Sequence, residues 1–280
     1  MAGIFKAYDI RGVYGKDLTD EIAYRIGRAF ATFTGCKKVV VARDIRPHSE
    51  PLFAALAKGI TEQGSDVIDL GHGSTPMAYF ANGTLDADAG VMITASHNPA
   101  EWNGFKLCRA QAVPISGATG ILDIENIVAE EAFAPQASRP GKVTPYDILP
   151  QYAKHVAQFA HLKRPVHLAI DFANGMGIWE AKTLKGILTW DGLFEEPDGR
   201  FPNHEANPLN TATLKDLQAK VRAGTYAFGV AYDGDADRAG FVDEKGDIIP
   251  MDLITALVAQ DVLTTRKGVI FYDLRSSRVV

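Results

Sequence analysis

The sequence predicts an α/β protein, built of consecutive α/β domains with mixed, mostly parallel sheets flanked by helices. Three observations point there. Short apolar, β-branched runs alternate with longer amphipathic stretches, the signature of strands feeding helices. The alternation stops at a proline-rich break and then restarts. The length, 280 residues, corresponds to about two domains.

In chain order, Asp20–Thr34 has helical periodicity and Lys38–Ala42 (KVVVA) reads as a buried strand. Ser49–Gln63 is a second helix, with Ser49 as its expected N-cap and Gly64 as its stop. Asp66–Leu70 (DVIDL) and Ala89–Thr94 (AGVMIT) are further strands. The stretch APQASRPGKVTPYDILP, residues 134–150, carries four prolines and no strand signal, and is the expected linker, with Pro145–Pro150 able to open the next helix. Beyond it, Gln151–Ala160 and Thr211–Ala223 read as helices, and Val166–Asp171, Tyr226–Tyr232 and Ala239–Asp243 as strands. A third unit starts near Pro250, with a helix at Met251–Leu263 and a strand at Gly268–Tyr272. The expected domains are therefore 1–143, 144–248 and an incomplete third from 249 to 280, so that the chain reads as truncated.

Composition excludes several functions. Twenty-nine Lys and Arg against 34 Asp and Glu leave a net charge of −5. The cations are dispersed, which leaves no electrostatic footprint for nucleic acid or anionic lipid. Cys36 and Cys108, the two cysteines, have neither disulfide-framework nor zinc spacing. No apolar run reaches the ~18 residues of a membrane span. The opening MAGIFKAYDIRGVYG is no signal peptide, so a cytoplasmic setting is expected. Nothing in the sequence speaks to oligomeric state.

Two segments carry chemistry. GVAYDGDADRAGF places Asp233, Asp235 and Asp237 in a tight turn between two strands. At ~5 Å and an effective dielectric near 20, each pair repels by about 3 kcal/mol. A divalent cation relieves that repulsion, and an all-oxygen donor set selects Mg²⁺ or Ca²⁺ over zinc. An EF-hand fails, because Arg238 stands at the sixth loop position, where glycine is needed, although Glu244 falls at the twelfth. A phosphatase with Asp233 as covalent nucleophile is the more serious rival. The second segment, TASHNPAEWNGFKL, leaves a strand and gathers Ser96, His97 and Lys106. A serine presented at a strand exit beside a base has the general form of a covalent nucleophile. Trp102 lies inside this loop and shapes it, whereas Trp179 and Trp190 read as core. His48, His72, His155, His161, His167 and His204 lack ligand spacing and read as packing or surface residues.

Taken with the opening FKAYDIRG, these motifs resemble the α-D-phosphohexomutases, in their phosphomannomutase/phosphoglucomutase branch. VPISGATG, DFANGMG and PDGRFPNHEANP at residues 113–120, 171–177 and 197–208 add to the similarity, which covers essentially the whole chain. The resemblance implies a four-domain enzyme of which domains 1 and 2 and the start of domain 3 lie in this chain. It implies phosphoryl transfer between O6 and O1 of a mannose or glucose phosphate, through a phosphoserine and a hexose 1,6-bisphosphate. Ser96 would carry the phosphate and ligate Mg²⁺ together with Asp233, Asp235 and Asp237. Arg238 would contact phosphate, Lys106 and His97 would serve proton transfer, and Tyr8 and Arg11 would stand beside the same centre. Two substitutions depart from the pattern: Arg200 replaces a common Asn, and Ala236 replaces a common glycine at what is expected to be an ordinary turn position. The sugar-recognition and phosphate-binding loops fall outside the chain. A metal-binding remnant without turnover is the non-enzyme alternative.

Overall fold

The computed structural model describes residues 3–272, 274, 276–278 and 280. Two mixed sheets organise it. The first comprises β1 (Ile10–Val13), β2 (Lys38–Arg43), β3 (Asp66–His72), β4 (Ala89–Ile93), β5 (Trp102–Arg109) and β6 (Val143–Pro145), in the order β1-β5-β4-β2-β3-β6. Its β4, β2, β3 and β6 run parallel, while β5 and β1 are antiparallel additions at one edge. The second sheet holds β7 (His167–Asp171), β8 (Thr189–Leu193), β9 (Gly229–Tyr232), β10 (Ala239–Val242) and β11 (Ile248–Ile249), in the order β11-β10-β9-β7-β8. It repeats the plan: β9, β7 and β8 are parallel, and β10 and β11 antiparallel.

Alternation along the strands produces the layers. On β2, Val39 and Val41 face the helices α1 (Asp20–Thr34) and α2 (Ser49–Glu62), while Val40 and Ala42 face α3 (Thr75–Thr84). α4 (Ile121–Ala129) joins the α1 side through Ile121, Ile124 and Val128. α1 is well delimited. Thr19 Oγ1 accepts the N–H of Ile22 at 3.3 Å, and Gly35, at φ 60°, returns its N–H to Ala31 O. α1 and α2 cross so closely that a Cβ on Gly27 or Gly59 would strike the other helix's backbone. In the second sheet, Ala169 and Ala231 face α7 (Lys215–Ala223), whereas Leu168, Ile170 and Val230 face α6 (Gly177–Thr183). α5 (Leu149–Ala157) lies between the halves, with Tyr152 in the α3-side core. α8 (Met251–Thr265) follows β11 and carries no buried residue.

Several expectations need correction. Residues 143–145, inside the expected linker, form β6, pairing Val143, Thr144 and Pro145 with Val67, Ile68 and Asp69. Edge pairing alone sustains this strand, which is exposed along its length and tolerates a proline there. Ser49 is the first helical residue, not the cap: His48 precedes it without a side-chain cap, and the Ser49 hydroxyl donates to Asp44 Oδ1 at 2.6 Å. The strand expected at 226 begins at Gly229. Gly268–Tyr272 is not a strand, having no partner strand among the described residues, and Phe271 is 91% exposed. Among the described residues no helix is long and apolar enough to cross a membrane.

Candidate active site

The serine loop begins where β4 ends. Antiparallel pairing of β4 with β5 sets Met92 opposite Lys106 and Ile93 opposite Phe105, so Lys106 is registered beside the strand exit. Three residues past the end of β4, Ser96 adopts φ +53°. This left-handed conformation costs a non-glycine residue roughly 1–2 kcal/mol, so the surroundings must impose it. Thr94 Oγ1 accepts the Ser96 N–H at 2.8 Å, and Arg46 Nη2 donates to the Ser96 carbonyl at 3.0 Å.

Arg46 organises the whole loop. It is 1% exposed, and all five of its guanidinium N–H groups are engaged. Nε donates to Asp44 Oδ2; Nη1 donates to the carbonyls of Pro99 and Trp102; Nη2 donates to those of Ser96 and Asn98. Asp44, also buried, balances the charge and orients the guanidinium.

The aspartate turn closes the β9–β10 hairpin. Asp233 N–H donates to Arg238 O, and Asp233 Oδ1 accepts the Arg238 N–H at 3.0 Å. Ala236 sits at φ +59°, which corrects the expectation of ordinary turn geometry: glycine suits this position and alanine is strained in it. One oxygen from each of Asp233, Asp235 and Asp237 lies within 4.8 Å of the others.

The two loops meet. Ser96 Oγ donates to Asp233 Oδ2 at 2.8 Å, and both residues are fully buried. Lys106 Nζ donates to Asp235 Oδ2 at 2.6 Å and to Asp237 Oδ2 at 2.5 Å. Arg238 Nη1 donates to His97 Nδ1 at 2.8 Å, and Ser96 Oγ lies 3.3 Å from the same nitrogen. Arg11 Nη1 donates to Asn98 Oδ1 and to Ala95 O, bracing the loop from β1. Tyr8 stands apart, 81% exposed, with no hydrogen bond to this cluster among the described residues. Gly234 packs against the Ser96 carbonyl so tightly that a Cβ would collide with it. Arg200 pairs with Asp198 on the surface, away from these groups.

Charge in the cluster is unbalanced. Burial, then Asp235 and Asp237, push the Asp233 carboxyl well above the ordinary carboxylate range. Burial opposes ionisation of Asp235 too, but Lys106 outweighs it and holds that carboxyl below its usual value. Burial likewise disfavours the Lys106 ammonium, yet the two aspartates raise its pKa. The His97 pKa is lowered by burial, then by Arg238 and Arg11. Asp235 Oδ1 is buried without any hydrogen-bond partner. An orphaned carboxylate oxygen among three converging aspartates fits a hard divalent cation with oxygen ligands. Asp233, Asp235, Asp237 and the Ser96 oxygen are the donors such an ion would meet.

Arg46, Asp44 and Thr75 escaped the reading of the sequence as contributors to the site. Thr75 Oγ1 donates to Asp235 Oδ2 at 2.6 Å across a sequence separation of 160. An arginine three residues past the end of a buried strand, in RDIRPHS, was the available signal for Arg46; Thr75 had none.

Two α/β units thus meet through loops that set a strained serine against an acidic turn, and comparison with known proteins places both units. Residues 2–135 match the family described as phosphoglucomutase/phosphomannomutase, alpha/beta/alpha domain I, and residues 150–246 match domain II of the same family. The chain belongs to the phosphoglucomutase/phosphomannomutase family, within the phosphohexomutase superfamily. It is 41% identical over 283 residues to a phosphoglucomutase of Neisseria meningitidis serogroup B, covering 99% of this chain and 61% of that protein. It is 38% identical over 284 residues to a phosphomannomutase of Escherichia coli K12, covering 98% of this chain and 62% of that protein. A phosphoglucomutase/phosphomannomutase family structure from Burkholderia thailandensis superimposes with a TM-score of 0.87 at 37% identity, over 93% of this chain and 59% of that one. The chain thus spans about six-tenths of the length of these relatives.

Proposed function

We propose that this chain supplies the phosphoryl-transfer centre of a hexose-phosphate mutase, moving phosphate between O6 and O1 through a phosphorylated Ser96 and a hexose 1,6-bisphosphate. The observation that carries the reading is the Ser96 Oγ–Asp233 Oδ2 bond at 2.8 Å, which sets a left-handed, buried serine against the acidic turn. Relatives of similar identity are named for glucose and for mannose, so both sugars fall within the proposal. Domains 1–143 and 144–248 would supply the reacting groups. The exposed apolar residues Leu253, Leu257, Val258 and Val262 of α8 support assigning 249–280 to a further unit.

Phosphoryl transfer is governed by positioning and charge. In the first half-reaction, the phosphorus–Oγ bond of phosphoserine breaks as a bond forms to the sugar hydroxyl oxygen, giving the bisphosphate. The sugar hydroxyl loses its proton, with His97 as the acceptor and Lys106 as the acid and positive charge. In the second, the bond from phosphorus to the sugar oxygen of the turned-around bisphosphate breaks as the phosphorus–Oγ bond re-forms; the Oγ proton leaves along the hydrogen bond already directed at Asp233 Oδ2, and the released sugar oxygen takes back the proton held by His97. A phosphoserine adds about −2 charge to the three aspartates. Arg238, Lys106 and Arg11 are the cations gathered around it. When bound, Mg²⁺ supplies Lewis-acid stabilisation of the transferring phosphoryl oxygens.

The aspartyl-nucleophile alternative finds less support. Both oxygens of Asp233 accept hydrogen bonds, Oδ1 from the Arg238 N–H and Oδ2 from the Ser96 hydroxyl, so the carboxylate is placed to orient the serine and take its proton. The distinguishing experiment loads the chain with phosphate, adds Mg²⁺ and glucose 1-phosphate or mannose 1-phosphate, and follows the label. Hexose 1,6-bisphosphate is the expected product. Release as inorganic phosphate would identify a hydrolase, and a label that never enters or leaves the chain would leave the metal-binding remnant standing.

A further inference from the structure

We infer that Thr75 is a positioning residue of the aspartate centre: its hydroxyl fixes the Asp235 carboxylate so that Oδ1, and not Oδ2, faces the cation. The inference rests on the reading that the three aspartates hold a divalent ion, and it concerns a residue from the other half of the molecule.

Thr75 is the first residue of α3 and is 0% exposed. It grips Asp235 at two points. Its backbone N–H donates to the Asp235 carbonyl at 3.0 Å, and its Oγ1 donates to Asp235 Oδ2 at 2.6 Å. Lys106 Nζ reaches the same Oδ2, also at 2.6 Å. Two strong donors therefore occupy one oxygen, while the other is buried with no partner. A carboxylate in this state has one free donor position, and the backbone contact fixes where it points. Threonine suits the task because its branched Cβ restricts χ1.

The end of α3 that carries Thr75 is itself held. Ser74 caps the helix by accepting the Met77 N–H at 3.2 Å, and its hydroxyl donates to Glu180 Oε1 of α6. Tyr152 donates to the other oxygen of Glu180 at 2.9 Å. Adjacent residues of one helix terminus thus bind two separate carboxylates of the second unit, and only the Thr75 contact ends on an aspartate of the turn. Residues that orient a metal ligand commonly contribute ten- to a hundredfold to metal affinity.

The test is Mn²⁺ binding, followed by electron paramagnetic resonance, to the full chain and to Thr75→Val, Thr75→Ala and Thr75→Ser. Removing the hydroxyl, in Thr75→Val or Thr75→Ala, is expected to weaken Mn²⁺ binding by about tenfold or more. Thr75→Ser, which keeps a donor, is expected to recover most of the affinity. Thermal melts without metal separate a structural role, since a residue that only packs would lower Tm and leave the Mn²⁺ affinity of the folded variants unchanged. Equal or tighter binding by both hydroxyl-free variants, with wild type binding normally, overturns the inference alone. Absence of Mn²⁺ binding by the wild type overturns the metal-centre reading and the inference with it. Alanine creates no overpacking, so it carries the comparison if the valine variant does not fold.

Discussion

Ser96 Oγ and Asp233 Oδ2 stand 2.8 Å apart although 137 residues separate them in sequence. Everything proposed for the centre depends on this contact between two units. It exists because each partner is presented by a turn in left-handed backbone, Ser96 at φ +53° and the aspartate turn through Ala236 at φ +59°. Replacing Asp233 by Asn keeps the shape and removes the charge. Calorimetry with Mg²⁺ is expected to show affinity falling by more than about tenfold, because a direct ligand matters at least as much as an outer one.

Arg46 should be intolerant of substitution. Arg46→Met leaves the buried Asp44 without its counter-charge and takes a donor from four carbonyls, of which that of Pro99 keeps the Trp102 N–H. Urea unfolding is expected to show a loss of about 3–5 kcal/mol. Arg46→Lys, with three donors for the work of five, should fall between the two and still lose phosphoryl transfer to Ser96.

Gly234 is set by the close approach of the loops. A Cβ there would meet the Ser96 carbonyl, which is itself held by Arg46. Gly234→Ala should therefore push serine and aspartates apart. An ångström of misplacement costs about a hundredfold in rate. Phosphoryl transfer from a hexose 1,6-bisphosphate, timed by quench and mass spectrometry, is expected to slow by that order, with circular dichroism unchanged.

A pH signature lies outside the centre. His204 Nε2 is 3.0 Å from Asp171 Oδ2, and this hydrogen bond raises the imidazolium pKa against the opposing effect of burial. A raised folded-state pKa means that the stabilisation is complete below the unfolded value of about 6.5 and is lost as pH rises through the folded value. The stability difference between wild type and His204→Gln, from denaturant titrations, should be largest near pH ~6 and shrink with increasing alkalinity. A constant difference across that range would contradict the ion pair.

Much of this was legible in sequence, for identifiable reasons. Val39–Ala42 and Ala89–Ile93 are buried on both faces in the parallel part of the first sheet, so they appear as unbroken apolar runs, whereas Asp66–Leu70 is half-buried and was legible from Val67, Ile68 and Leu70. Trp102–Arg109 escaped detection because Asn103, Gly104 and Lys106 break that pattern, Lys106 in order to reach Asp235 and Asp237. Val143–Pro145 is a strand only through its pairing with β3, and no composition rule sees an edge of that kind. Ser96, Lys106 and the three aspartates were legible because each group is local in sequence. Arg46 and Thr75 act across long separations, on backbone carbonyls and on a carboxylate oxygen, so only the folded structure reveals them. Tyr8 shows the converse, a residue named with its motif that lies exposed and apart from the cluster.

The most direct measurement is the identity of the phosphorylated residue. The chain is incubated with a hexose 1,6-bisphosphate and Mg²⁺, digested, and mapped by tandem mass spectrometry, with Ser96→Ala in parallel. One phosphate on the peptide carrying Ser96, absent from Ser96→Ala, is the predicted result. Phosphate on Asp233, or equal labelling of Ser96→Ala, would contradict the assignment of Ser96 as the carrier.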